Sequence, residues 1–243
     1  MLTKSLDNEQ GFNDTETARL ILWAESSSGF GNDPKKNTET LKEIATEAQR
    51  LDTVFLIGGD RPSSPGEFEN YGIFIDERGE ISGEYLKQHP VPFGEYIPFR
   101  KYLDWIPPLS LVPRDMVRGT QQQVFTTNKD EIKISPVISF EGSFDRYIRR
   151  SVVQGAEVVV ILTNQASYGE SGMSDQFILM SRANAISNNR DIAHAAITGK
   201  SAFISGTDGD IYSSTGLFTD AVLTDEIKTS NKLTLYTLSL IHI

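Results

Sequence analysis

Cysteine is absent from the 243-residue chain. That excludes disulfides, thiolate metal sites and a cysteine nucleophile. Histidine is scarce: His89, His194 and His242 lack any paired ligand spacing, so no zinc site is expected. No positively charged leader runs into an apolar stretch at the start, and no run approaches the roughly 20 apolar residues of a membrane span. Positive charge is in deficit, with 23 Lys and Arg against 33 Asp and Glu and a net charge of -10. Such a chain as a whole does not attract nucleic acid or an anionic bilayer, which leaves only a locally basic face to serve an anion.

What is present is an ordinary globular composition, 38% apolar and 23% charged, and enough length for one sizeable α/β core. Apolar runs alternate with helical periodicity. "ARLILWAES" reads as a strand ending at Glu25, and "TETLKEIATEAQRL" from Thr38 puts Leu41, Ile44, Ala45, Ala48 and Leu51 on one helical face. "TVFLIGGDR" reads as a buried strand closed by glycines, and "YGIFIDERGEISGEYLKQ" as two strands joined at a turn holding Arg78 and Gly79. A proline-rich loop runs from Pro90 to Pro113. Beyond it, "EIKISPVISFE" predicts a strand, and "SFDRYIRRSVVQGAEVVVILTNQ" a helix, a turn at Gly155 and a strand. "SDQFILMSRANAISNNRDIAHAAIT" repeats helix and strand, and "SAFISGTDGDIYSS" predicts a hairpin about Asp208 and Gly209. Sheets covered by helices on their outer faces are the expected architecture.

Three polar groups follow apolar runs: Glu25, Lys87 and Ser139. A carboxylate to accept a proton, an ammonium to steady an oxyanion and a hydroxyl to carry an acyl group make a workable acyl-transfer set. Such residues are also common at strand ends, so residue type alone leaves an ordinary surface reading open.

Four stretches in order, "LILWAESS", "YLKQHPVPFGEYIPFR", "ISFEGSFDRYIRRSVVQGAEVVVILTNQASYG" and "MSRANAISNNRDIAHAAITGKSAFISGTDGDI", resemble the nitrilase-like domain of apolipoprotein N-acyltransferases. The most specific string is "HPVPFGEYIPF", because soluble nitrilases and amidases have a shorter, different lysine loop. The resemblance implies an α/β fold, a nitrilase-like four-layer αββα sandwich. It implies a Glu-Lys-Cys triad that takes an acyl chain from a phospholipid as a thioester. The acyl chain then passes to the α-amino group of a diacylglyceryl-cysteine apolipoprotein. By matched position Glu25 is the general base, Lys87 the oxyanion stabiliser, Glu95 an auxiliary acid group, and Glu141 orients the lysine or the leaving group. No metal or organic cofactor is implied. The partners implied are the phospholipid donor, the apolipoprotein acceptor and a membrane interface, on the outer face of a bacterial plasma membrane. The loop with Tyr96, Phe99, Tyr102, Leu103, Trp105, Ile106, Leu109 and Leu111 is expected to meet that interface.

The chain departs from the family at the nucleophile, where Ser139 stands in place of cysteine. A thiol ionises at a pKa of about 8.5 and a serine hydroxyl far less readily, so weak acyl-enzyme formation is expected. Natural variation, a trapping substitution and a codon error each produce such a serine. A soluble carbon–nitrogen hydrolase with water as acceptor and a silent lipid-binding homologue are the alternatives. The domain is expected over residues 1–237, without the first strand and flanking membrane helices of the family, since "MLTKSLDNEQGFNDTETAR" offers no strand candidate. The last six residues, "LSLIHI" at 238–243, match the in-frame translation of a transposon mosaic-end adaptor and are expected to be a non-native tail.

Overall fold

Strands of two to nine residues pair into two sheets in a computed structural model that describes residues 20–103 and 105–239. The expectations placed on residues 1–19 and 240–243, including His242, lie outside the described residues. In the first sheet β1 (Leu20–Trp23) runs parallel to β2 (Val54–Pro62). β2 pairs antiparallel with β3 (Glu67–Ile75), which turns through Gly79 into β4 (Ile81–Leu86), and β5 (Asp115–Met116) joins the start of β3. The second sheet is ordered β11-β10-β9-β8-β7-β6. Its parallel centre is β7 (Lys133–Ile138), β8 (Val158–Asn164) and β9 (Ile192–Ile197). Antiparallel β6 (Phe125–Thr126), β10 (Ala202–Ile204) and β11 (Ile211–Ser214) flank it.

Parallel neighbours need crossovers, and the periodic segments supply them. α1 (Thr38–Leu51) connects β1 to β2. Across the Pro90–Pro113 loop lie α2 (Arg100–Leu103) and a 3-10 turn at Pro107–Leu111; prolines and shortness hide both from periodicity. α3 (Asp145–Val153) connects β7 to β8, α4 (Met173–Asn188) connects β8 to β9, and α5 (Leu235–Ser239) closes the described chain. α1 starts where the Asn37 side chain accepts from Glu39 N and Thr40 N at 3.1 and 3.2 Å, and it ends on left-handed Asp52.

Strand alternation sends one set of side chains to each side of a sheet, which here produces three apolar layers. Phe55, Ile57 and Ile73 pack outward against Ile44 and Ala48 of α1. Leu56, Phe74 and Tyr85 face Ile138, Val160 and Leu162 between the sheets, where the Phe74 and Phe125 rings stack at 4.9 Å. Val137, Val159 and Ile161 pack against Ile148 of α3 and Ile178 and Ala185 of α4. Three cores between four layers make the αββα sandwich. Among the described residues no helix is long and apolar enough to cross a membrane.

The glycines of "LIGGDR" lie inside β2 rather than closing it, because the strand continues to Pro62. A Cβ at Gly58 would collide with the Ala24 carbonyl, and one at Gly59 with the Ser28 and Tyr71 side chains. The bare backbone lets the turn after β1 lie directly on β2, and that turn carries Glu25.

Candidate active site

The C-terminal ends of β1, β4, β7 and β8 converge, and each contributes a group. Glu25 follows β1, Lys87 follows β4, Ser139 follows β7, and Asn164 ends β8. Lys87 is 0% exposed. Its Nζ donates to Glu25 Oε1 at 2.9 Å and to Glu95 Oε1, so two carboxylates compensate one buried ammonium. Burial acts to lower the Lys87 pKa, but attraction to Glu25 and Glu95 outweighs it, and the net displacement is upward. The ammonium therefore stays charged at neutral pH.

Glu25 ties the two sheets together. Its Oε1 also accepts from Asn70 Nδ2 at 2.8 Å, and its Oε2 accepts from the backbone N–H of Asn164 at 2.7 Å. Glu95 is anchored through Oε2 by the Val91 N–H at 2.8 Å. The carboxylates on either side of Lys87 are thus both fixed by donors other than the lysine.

Ser139 is 8% exposed and adopts φ +54°, a left-handed conformation that non-glycine residues seldom occupy. It opens a 3-10 turn, Ser139–Ser143, straight out of β7, a strand-to-helix corner that throws its side chain out of the line of the sheet. Among the described residues no hydrogen bond holds its hydroxyl.

Glu141 is a separate hub. Fully buried, it accepts from Ile138 N at 2.8 Å, His89 N at 3.0 Å, Tyr85 Oη at 2.6 Å and the Gln88 N–H. Burial pushes its carboxyl above the ordinary value, against the pull of these donors. It thereby pins the Ser139–Ser143 turn to residues 88 and 89, the backbone that follows Lys87.

Groups that sequence reading passed over complete the site. Asn70 lies opposite Asp60 in the β2–β3 register. The Asp60 carboxyl bonds Ser26, leaves its buried Oδ1 without a hydrogen bond, and is pushed up to about 6 by burial. Tyr168 lies within the field of Lys87, Glu25 and Glu95. A polar pair directly opposed within two apolar strands was the one signal that could have marked Asp60 and Asn70.

A family model described as carbon-nitrogen hydrolase matches residues 11–231. The chain is 32% identical over 213 residues to an apolipoprotein N-acyltransferase of Geobacter metallireducens, covering 86% of this chain and 40% of that protein. It is 31% identical over 220 residues to one of Mycolicibacterium smegmatis, covering 88% and 36%. The chain therefore spans well under half the length of these curated relatives. Among solved structures, an amidase from Nesterenkonia superposes with a TM-score of 0.62 at 16% identity, covering 88% of this chain and 79% of that one. A cysteine-to-serine mutant of a Nesterenkonia amidase from the nitrilase superfamily superposes at 0.61 with 16% identity, covering 88% and 78%. At that identity the likeness is one of fold.

Proposed function

The chain belongs to the carbon–nitrogen hydrolase family, and on that premise we propose that it transfers an acyl chain from a phospholipid to the α-amino group of a diacylglyceryl-cysteine apolipoprotein. Glu25 takes the proton of Ser139 Oγ as the oxygen attacks the ester carbonyl of the donor. The Lys87 ammonium stabilises the resulting oxyanion. Collapse breaks the ester bond, and the departing lysophospholipid alkoxide receives the proton held by Glu25. The acceptor amine then attacks the acyl-serine and gives a proton to Glu25. Collapse forms the amide and returns that proton to Ser139. Glu95 keeps the lysine charged throughout.

The observation that carries this reading over a water-using amidase is the loop attached to Glu95. Phe99, Tyr102, Trp105 and Leu111 are 77–84% exposed there, next to a site whose own core is closed. Phe93 and Phe99 are held at positive φ, which bulky residues rarely adopt. An apolar surface of this kind requires a partner, and amphipathic aromatic groups suit a lipid interface. The domain then works at a membrane, on the outer face of a bacterial plasma membrane.

Incubation of the chain and of Ser139→Cys with phospholipid, followed by mass spectrometry of residue 139, tests the proposal. The cysteine variant is expected to gain one acyl group and the serine form to gain it at least about a hundredfold more slowly, as the weaker nucleophile. Release of ammonia from simple amides by Ser139→Cys, with no acyl group taken from phospholipid, would favour the hydrolase instead.

A further inference from the structure

In this acidic chain many buried or half-buried cations sit on carboxylates, as Arg61, Lys87 and Arg100 do. Arg118 and Arg146 do not. Both are exposed, and among the described residues neither has a carboxylate partner. Each is braced on aromatic rings instead. The Arg118 guanidinium lies 5.2 Å from the Tyr96 ring centroid, and that of Arg146 lies 4.9 Å from those of Phe144 and Tyr147. Bracing fixes the position of a guanidinium without neutralising it.

Both flank the reacting centre. Gly119, beside Arg118, donates its N–H to the Lys87 carbonyl at 2.8 Å. Arg146 Nη2 lies 3.1 Å from His89 Nδ1, and the His89 ring packs 5.5 Å from Phe140, the residue after Ser139. Since Nδ1 accepts from the guanidinium, the His89 proton belongs on Nε2, a third donor. Burial and then the charges of Arg146 and Arg118 hold the imidazole below its ordinary pKa, so the fields of both arginines meet at this ring. The first turn of α3 adds its amide dipoles, since its N-cap, Phe144, offers no side-chain acceptor. The carboxylate of that turn, Asp145, accepts from Asn188 Nδ2 at 2.7 Å.

We propose that Arg118, Arg146 and His89 form a phosphodiester-binding site that holds the headgroup phosphate of the acyl donor beside Ser139, an inference that rests on the phospholipid reading above. A phosphodiester has one charge and two non-bridging oxygens, which suits two guanidiniums approaching from different elements. The site also explains how a chain of net charge -10 engages an anionic group: it does so locally.

The test is equilibrium binding of dihexanoyl phosphatidylethanolamine, below its micelle concentration, compared with dihexanoylglycerol, which lacks the phosphate. The full chain and its Arg118→Gln/Arg146→Gln variant are titrated with each. The phospholipid is expected to bind the unsubstituted chain at least about tenfold more tightly than the diacylglycerol. The double substitution is expected to bring the two ligands within about twofold, with the diacylglycerol unaffected. Equal binding of both ligands to the unsubstituted chain, or a preference that survives the substitution, overturns the proposal. Displacement of the lipid by an equal concentration of inorganic phosphate would assign the site to the free anion and overturn the headgroup assignment. If the preference holds but Ser139→Cys takes no acyl group from the same lipid, the phosphodiester site stands and the acyl-transfer reading fails.

Discussion

At the scale of single residues, Asp60 has the most unusual position, since it joins a buried charge cluster without an ion pair of its own. Burial is the largest cause of its upward displacement to about 6, and the charges of Glu25 and Glu95 add to it, while Ser26 and Lys87 oppose it. The raised value means that the folded protein keeps a proton that the unfolded chain releases between about pH 4 and 6. The stability contributed by that proton is present at low pH and lost as pH rises through about 6. Asp60→Asn is therefore expected to gain on the order of 1–3 kcal/mol near neutral pH and almost nothing at about pH 4. Urea unfolding at both pH values checks this, and an equal gain at both would assign the effect to packing rather than charge. Glu25, Lys87 and Ser139 were legible as candidates from their places after apolar runs. Asp60 was not, because a lone carboxylate in a strand carries no local mark of what faces it.

Among the elements, the Ser139–Ser143 turn and the loop after Lys87 behave as one unit because Glu141 accepts from Ile138 at the end of β7 and from Gln88 and His89. Glu141→Ala would leave the N–H groups of Ile138, Gln88 and His89 and the Tyr85 hydroxyl without their acceptor in a closed interior. A cost of about 3–5 kcal/mol in chemical denaturation is expected. A cost below about 1 kcal/mol would mean that water replaces the carboxylate easily. α1 was legible because Leu41, Ile44, Ala45, Ala48 and Leu51 recur at helical spacing, whereas α3 and α4 were legible as the helix-like stretches that precede β8 and β9. The Pro90–Pro113 segment was legible only as a loop. α2 covers one turn, and the 3-10 turn begins on two prolines, so neither offers a period to read.

For the whole molecule, the contact between the two sheets sets both stability and the site. Leu162 is fully buried between them and lies 3.5 Å from where a Cβ of Gly72 would stand on the opposite sheet. Leu162→Ala is expected to cost about 3 kcal/mol, through lost burial and the cavity left behind. The same change loosens β8, whose last residue donates to Glu25. In the Ser139→Cys background it is therefore expected to slow acylation by about tenfold or more, a barrier change of about 1.4 kcal/mol. Unchanged acylation at reduced stability would show that the Asn164–Glu25 contact does not depend on the inter-sheet core.

By itself the sequence determined the hairpin turns, the αββα architecture implied by its motifs, the identity of Glu25, Lys87, Glu95, Ser139 and Glu141 as candidates, and the order of the longer strands and helices but not β5, β6, α2 or α5. Periodicity, turn residues and short motifs are local, and each can be read within one window of chain. Only the tertiary structure decided which carboxylates compensate Lys87, that Glu141 binds backbone N–H groups and the Tyr85 hydroxyl rather than the ammonium, and that Asn70 and Asp60 stand at the site. Those choices depend on contacts across long separations, 62 residues from Lys87 to Glu25 and 139 from Asn164 to Glu25. The closing of one sheet on another brings such groups together, and no window of sequence contains it.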